Sequence, residues 1–189
     1  MSRVLLLCLS MLLSSLAIAA DKTEPNPQII IKTSEGDITL VLFLDKAPVT
    51  VENFLGYADS GFYSGTIFHR VISNFMIQGG GFLPDMTRKA TRDPIVNESK
   101  NRLHNTRGTI TMARTNDPDS ATSQFFINQR SNLRLDWTPS NPGYAVFGEV
   151  ILGMDIVDYI ASAPTGKAKG MSDVPQEPIT ILEVVRVDP

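Results

Sequence analysis

Cysteine is almost absent from this chain of 189 residues, which contains only Cys8, and histidine is limited to His69 and His104. Two histidines without further cysteines are too few for a typical zinc site. The body of the chain also offers no disulfide and no thiolate nucleophile. Neither a G-x-S-x-G elbow nor a Ser–His–acid set is recognisable, so a secreted hydrolase is not indicated. We expect no metal and no cofactor.

Concentrated positive charge is absent as well. The chain has 17 Lys and Arg against 20 Asp and Glu, its formal net charge is −3, and the basic residues form no run of five or more. Nucleic acids and anionic membranes attract proteins with concentrated positive charge. We therefore expect no nucleic acid as a partner, and no membrane once the leader has been removed.

A long apolar run occurs only at the start of the chain, where Arg3 is followed by VLLLCLSMLLSSLAIA. A short positive start, roughly 15 apolar residues and an A-x-A pattern at 17–19 are typical of a secretory signal peptide. We predict a signal peptide over 1–19 with cleavage after Ala19 or Ala20, a flexible lead-in over 20–27 and one domain over 28–189. A transmembrane anchor is the alternative, but the run is short for one. Cleavage would remove Cys8, and a thiol-free product suits the periplasm or the exterior.

Short apolar runs rich in β-branched residues dominate the remaining chain and predict strands. The expected strands are 28–33, 37–44, two short strands within 65–78, 108–114, 123–128, 144–150 and 179–187. Helical spacing predicts a helix that starts near Pro48 and stops at Gly61, and a second over 154–161. Residues 82–107 and 129–142 are expected to be irregular, and no strand is predicted over 164–178, where proline and glycine recur. This pattern favours an all-β dominated fold, an antiparallel barrel with a helix over each open end, with a sandwich as the alternative.

The stretch 68–81, FHRVISNFMIQGGG, places Arg70 close to the apolar pair Phe75 and Met76 and to the amide of Gln78. Apolar residues on both sides of Arg70 indicate that part of its side chain lies against an apolar surface. Since arginine keeps its charge in almost any setting, it would be a strong and fixed hydrogen-bond donor there. The glycines at 79–81 permit close backbone approach or positive φ, and they lack the frame of a phosphate-binding loop.

Strand alternation assigns faces within this stretch. Phe68, Arg70 and Ile72 are predicted to share one face, and Met76 and Gln78 share a face of the following strand. His69 would then point away from Arg70, so we expect structural hydrogen bonding from it and no acid–base role. His104 is expected to be a surface or structural residue.

FHRVISNFMIQGG, followed in order by GTITMAR, SQFFIN and YAVFGEV, resembles the cyclophilin family of peptidyl-prolyl cis/trans isomerases from about Gln28 to the C-terminus. The resemblance implies an eight-stranded antiparallel β-barrel capped by two helices. With the leader, the chain is most similar to the secreted, periplasmic bacterial branch. The implied activity is isomerisation of X–Pro bonds in unfolded or partly folded polypeptides, assisting the folding of exported proteins. A non-catalytic peptide-binding chaperone module with the same groove is the alternative; a monomer is expected in either case.

The resemblance also implies roles for individual residues. Arg70 matches the catalytic arginine, which would donate a hydrogen bond to the proline nitrogen while the amide is twisted. The residues that match the hydrophobic proline pocket are Phe75, Met76, Phe126 and Leu135. Further substrate contacts are implied for Gln78, Gln124, the main chain of Ala113 and Arg114, and Tyr144, whose position holds histidine in the best-known eukaryotic members.

One position departs from the family pattern. Arg134 stands where many members carry an aromatic residue, commonly tryptophan. The departure bears on the edge of the pocket and on the binding of cyclosporin. Trp137 lies three residues further on and could partly replace the missing ring.

Overall fold

The computed structural model of the protein describes residues 26–187. The predicted signal peptide and most of the predicted lead-in lie outside the described residues. In the described part, no helix is both long enough and apolar enough to cross a membrane.

Strands make up most of the regular structure between residues 26 and 187. The strands are β1 (Gln28–Thr33), β2 (Gly36–Leu42), β3 (Phe68–Ile72), β4 (Met76–Gly79), β5 (Thr109–Met112), β6 (Phe125–Asn128), β7 (Val146–Leu152), β8 (Thr165–Ala168), β9 (Met171–Pro175) and β10 (Ile181–Val187). The helices are α1 (Pro48–Asp59) and α2 (Met154–Ala161), with short 3-10 helices at Ser99–Asn101 and Leu133–Leu135.

Eight of these strands form one antiparallel sheet in the order β10-β1-β2-β7-β5-β6-β4-β3. The sheet curls until its two end strands meet. Ile67 and Thr180 form a β-bridge, the Phe68 N–H donates to the Ile179 carbonyl at 2.9 Å, and Ile181 N–H donates to Thr66 at 2.7 Å. Joining the ends protects the edge strands from pairing with other chains. The predicted eight-stranded antiparallel fold with two helices is confirmed.

Helix α1 covers one end of the sheet, as its spacing predicted. Its first residue is Pro48, whose missing N–H costs nothing at that position. The N-terminus is capped from a distance: the Glu98 carboxylate accepts from Val49 N at 3.2 Å and from Thr50 N at 2.7 Å. The apolar face is buried through Val51, Phe54, Leu55 and Ala58.

An aromatic cluster joins α1 to the inner face of the sheet. The ring of Phe54 lies 5.1 Å from Tyr63, 5.6 Å from Phe125 and 5.3 Å from Phe147, measured between ring centroids. Because side chains alternate along a strand, Phe125 enters this core while its neighbour Phe126 points the other way. The core therefore fixes the strand that presents Phe126 to the opposite face.

Residues 164–178, where no strand was predicted, contain the hairpin β8–β9, which pairs Gly166 with Val174. Its turn residues Lys169 and Gly170 have φ of +44° and +82°. Positive φ at both central residues is the conformation of a type I′ turn, which matches the twist of short hairpins. The strands escaped prediction because TGKA and MSDVP show no apolar alternation. Strand β9 lies against β3.

Several predicted strands have other boundaries in the structure. The second strand was expected at 37–44 but runs from Gly36 to Leu42, and the strand expected at 144–150 runs from Val146 to Leu152. Strand β7 extends to Leu152 because that residue still pairs with Thr39 of β2. The side chains of its last two residues are exposed. The alternation of buried and exposed residues therefore does not continue to the end of the strand.

Candidate active site

Three predicted site residues form a row across adjacent strands. Arg70 of β3 lies opposite Gln78 of β4, and Gln78 lies opposite Phe126 of β6. Directly opposed residues of an antiparallel pair point to the same face of a sheet. The strand order therefore places a guanidinium, an amide and a phenyl ring side by side on the face away from the aromatic core.

The row borders an opening of about 130 Å³, named here the central cavity. Its lining residues are Arg70, Phe75, Met76, Gln78, Ala113, Arg114, Phe126, Leu135 and Tyr144. Gln124 lies in an adjoining cavity of about 250 Å³, named here the Gln124 cavity, which shares Gln78, Ala113 and Arg114 with the first. All ten residues singled out in the sequence thus line two connected openings.

The apolar wall of the central cavity is held by contacts around Tyr144. The rings of Phe126 and Tyr144 meet edge to face with centroids 5.9 Å apart. The Tyr144 N–H donates to the Leu135 carbonyl at 2.9 Å, which ties the wall to the second 3-10 helix. The Arg114 guanidinium covers the other side of the Tyr144 ring at 4.2 Å, and its Nε donates to the Gly143 carbonyl at 2.9 Å.

Arg70 lies at the lip of this cavity with its side chain 38% exposed. Its Nη1 donates to Gln78 Oε1 over 3.4 Å, a long hydrogen bond, and its Nε lies 3.9 Å from Asp173 Oδ2. Gln78 in turn donates from Nε2 to Gln124 Oε1 at 3.0 Å. The guanidinium is therefore half-buried, contacts the Gln78 amide and has the Asp173 carboxylate at longer range.

Asp173 is a charged neighbour of Arg70 that the sequence did not reveal. It belongs to β9, in a segment where no strand was predicted, and nothing in the sequence placed that segment next to Arg70. A Lys-Gly pair between two short polar runs is the signal that could have predicted the hairpin. Even then, the contact between β9 and β3 would not have followed.

The predicted faces around His69 were wrong. A bulge between Phe68 and Arg70 shifts the register, so Phe68 enters the core while Arg70 lines the central cavity. His69 is 1% exposed, lines the Gln124 cavity and lies against Phe82 with ring centroids 4.6 Å apart. Its Nδ1 has no hydrogen-bond partner among the described residues. Burial lowers the pKa of His69 to about 4, and the charge of Arg70 acts in the same direction.

A buried amide network supports the other side of the central cavity. Asn132 Nδ2 donates to the Phe75 carbonyl at 2.9 Å and to Asn128 Oδ1 at 2.7 Å. Asp136 Oδ1 accepts from the N–H and the amide of Asn105 at 2.7 and 2.9 Å. These bonds brace both Phe75 and the loop that carries Leu135. His104, as expected, is a structural residue at the surface, bonded to Asp136 at 2.8 Å.

The glycines at 79–81 serve close approach, as predicted. Gly80 has φ of +80°, which favours glycine. A Cβ at Gly81 would lie 2.5 Å from Cγ of Gln124, so only glycine leaves room for that side chain. The backbone of Ala113 is partly committed, because its N–H donates to the Gln124 carbonyl at 3.0 Å.

Trp137 does not replace the missing aromatic ring at the edge of the central cavity. Trp137 lines a separate cavity, with Lys100 Nζ 5.8 Å from its ring. Arg134 itself lies over Phe75, with its guanidinium carbon 5.0 Å from the ring centroid. A cation therefore lies at the edge of the central cavity, at the position where many family members carry an aromatic residue.

Comparison with known proteins gives a consistent result. A family model described as cyclophilin type peptidyl-prolyl cis-trans isomerase/CLD matches residues 28–186. A peptidyl-prolyl cis-trans isomerase of Acinetobacter baylyi is 50% identical over 184 residues, which cover 97% of this chain and 95% of that protein. Peptidyl-prolyl cis-trans isomerase B of Escherichia coli is 54% identical over 155 residues, covering 80% and 94%. A Cryptosporidium parvum cyclophilin crystallised in the presence of the dipeptide Ala-Pro superposes with a TM-score of 0.74 at 32% identity, covering 86% and 99%.

Proposed function

Because this chain belongs to the cyclophilin family of peptidyl-prolyl cis-trans isomerases, we propose that it isomerises X–Pro bonds through Arg70 and that its substrates are exported proteins. The observation that carries the mechanism is one small cavity in which a half-buried guanidinium adjoins an apolar wall. A volume of about 130 Å³ suits a single small ring, since sites for drug-sized ligands are about 300 Å³ or larger.

The reaction needs no bond to break. Rotation about an X–Pro bond faces a barrier of about 18–20 kcal/mol because the amide has partial double-bond character. The two isomers differ by only about 1 kcal/mol, so uncatalysed exchange takes tens to hundreds of seconds. Catalysis then requires only that the protein bind the twisted amide more tightly than either planar form.

Arg70 supplies this preference in the proposed mechanism. As the amide twists, the proline nitrogen becomes pyramidal and regains a lone pair, which accepts a hydrogen bond only in that state. A fixed donor aimed at developing charge contributes about 3–4 kcal/mol, or 10²–10³ in rate. Gln78 and Asp173 limit the directions that the guanidinium can take. The donor is thereby oriented before the substrate arrives.

The remaining residues hold the peptide. Phe75, Met76, Phe126 and Leu135 surround the proline ring, with Tyr144 bracing the wall. Gln78, Gln124 and the backbone of Ala113 and Arg114 bind the neighbouring peptide groups. Since the Ala113 N–H is already bonded to Gln124, its carbonyl and the Arg114 N–H are the groups offered to the peptide.

Export is supported by the sequence alone. The apolar leader, the A-x-A pattern and the absence of cysteine after Cys8 favour the periplasm or the exterior as the working compartment, and unfolded or partly folded proline-containing chains as substrates. A fusion of residues 1–27 to a reporter enzyme that is active only after export tests this. An inactive fusion that stays inside the cell would remove the proposal about location and leave the chemistry untouched.

Isomerisation rates separate the enzyme from a peptide-binding module with the same groove. If the monomeric protein, present at less than the peptide concentration, accelerates cis/trans isomerisation of a proline tetrapeptide, the protein turns over as an enzyme. Suppression of client aggregation without any acceleration would indicate the non-catalytic chaperone instead.

A further inference from the structure

The surface around the central cavity is rich in arginine. A third cavity of about 310 Å³, named here the Arg134 cavity, adjoins the central one and shares Phe75 with it. The Gln124 cavity adjoins the central one on the side of Gln78, Ala113 and Arg114. Since the central cavity shares lining residues with each of the other two, the three together are named here the groove. The arginines that line it are Arg70, Arg88, Arg114, Arg130 and Arg134, and no aspartate or glutamate lines any of the three.

This distribution runs against the composition of the chain, whose formal net charge is −3. Asp173, whose carboxylate lies 3.9 Å from the guanidinium of Arg70, lines none of the three cavities. Among residues 26–187, the side chains of Arg130 and Arg134 make no salt bridge. Two cationic groups are therefore left uncompensated in one small opening. Charges of one sign collected in a cleft raise the local concentration of oppositely charged ligands.

Arg134 is held in a position suited to binding a carboxylate. Its guanidinium carbon lies 5.0 Å from the centroid of the Phe75 ring, a cation–π contact that limits its orientations and does not use its N–H donors. The planar fork of arginine matches a carboxylate with two parallel hydrogen bonds. Because Phe75 also lines the central cavity, this fork lies next to the place where the proline ring binds.

We infer that the Arg134 cavity is a subsite for an acidic side chain. The enzyme then prefers X–Pro bonds that carry an aspartate or glutamate within two residues of the proline, on the side where the peptide passes Phe75. This inference rests on the proposed placement of the proline ring in the central cavity. Arg130, which lines the same opening, adds to the attraction.

The size of the preference follows from the exposure of the pair. Exposed ion pairs change an equilibrium by a factor of up to about five, and a bidentate pair lies at the upper end. The preference decreases as salt rises, because the Debye length is only about 3 Å at 1 M. A change in the apolar contacts alone would not respond to salt in this way.

The experiment compares kcat/KM for matched proline peptides by exchange NMR, which needs no protease. In the first series, two peptides differ only by glutamate or glutamine before the proline. In the second series, they differ in the same way after the proline. The readout for each protein is the ratio of kcat/KM for the glutamate peptide to kcat/KM for the glutamine peptide. An effect of the substitution on packing against Phe75 changes both values equally and does not alter this ratio. The variants are Arg134→Gln, Arg134→Lys, the double variant Arg130→Gln/Arg134→Gln, and Arg88→Gln as a control that removes one charge from the far end of the groove.

The expected Glu/Gln ratio for the unmodified protein is about three to five at low salt, for one of the two peptide series only. It falls to about one in the double variant and at about 1 M salt, stays raised in Arg88→Gln, and is partly kept in Arg134→Lys. A ratio near one while the glutamine peptides are isomerised normally overturns the subsite alone. An equal ratio in both series that survives the double variant also overturns it. If no peptide is isomerised, the proposed function fails and the subsite fails with it.

Discussion

The carboxylate of Asp173 lies 3.9 Å from the guanidinium of Arg70, measured from Oδ2 to Nε. Asp173 has φ of +62°, a conformation that aspartate adopts more readily than most residues. It reaches Arg70 from a hairpin of its own, while Gln78 reaches the same guanidinium from the neighbouring strand. The donor proposed for catalysis is therefore oriented by two groups from different elements.

Replacing Asp173 by asparagine is expected to lower kcat/KM by about two- to five-fold. The carboxylate loses its charge but keeps its shape, so Arg70 is oriented less strictly, and an exposed pair of this kind contributes up to about 1 kcal/mol. Tetrapeptide isomerisation measures the change. Glu177→Gln removes a charge from an exposed position near the same hairpin and should leave the rate unaltered. An Asp173→Asn protein with unchanged or higher kcat/KM would show that the carboxylate does not position Arg70.

His69 predicts a pH dependence of folding stability. Its pKa is about 4 in the folded protein against 6.5 in the unfolded chain, mainly because of burial. Between these values the unfolded state binds the proton and the folded state does not, so stability falls as the pH drops below 6.5 and levels off below about 4. The loss between about pH 7.5 and pH 5 is about 2 kcal/mol.

Urea unfolding at several pH values measures this loss. His69→Gln should remove most of the slope above about pH 5, while His104→Gln, at an exposed site, should keep it. Carboxylates whose pKa is lowered by arginine partners, such as Asp158 beside Arg107, lose their contribution to folding stability only at lower pH. The change in stability above about pH 5 is therefore expected to come mainly from His69. An unchanged slope in His69→Gln would assign the pH dependence to other groups.

Asn132 is expected to affect stability and activity together. Asn132→Ala removes both donors from a buried amide and leaves the Phe75 carbonyl and Asn128 Oδ1 without this partner, a loss of about 1–3 kcal/mol. It also loosens the loop under Phe75, so kcat/KM should fall under conditions where the protein remains folded. Leu133→Ala, at the exposed neighbouring position, serves as the stability control. Wild-type stability in Asn132→Ala would mean that the loop is held by other contacts.

The row of Arg70, Gln78 and Phe126 could be predicted because the motifs that contain these residues resemble the cyclophilin family, while the apolar pattern by itself predicted only the short strands that carry them. The helices were equally predictable, since Pro48 and the spacing from Val51 to Ala58 are local signals. The face of His69 was not predictable, because a bulge is set by pairing with β4 and leaves no mark in the sequence of β3.

Non-local contacts account for the other differences. Asp173 reaches the site through a polar hairpin without alternation, and Glu98 caps α1 from a loop far away in the chain. The amides of Asn105 and Asn132 lie in segments that look like ordinary polar loops. Their buried roles follow only from the tertiary arrangement that surrounds them.

The central claim is that Arg70 stabilises the twisted amide and not the bound ground state. Exchange NMR on one proline peptide tests it most directly, because line shapes give both the dissociation constant and the isomerisation rate of the bound peptide. In Arg70→Ala we expect a bound-state isomerisation rate lower by about 10²–10³, with a dissociation constant within about three-fold of wild type. Arg70→Lys should recover little of the rate, since an ammonium lacks the planar fork. A folded Arg70→Ala protein that isomerises at the normal rate, or one that loses rate only in proportion to affinity, would contradict the claim.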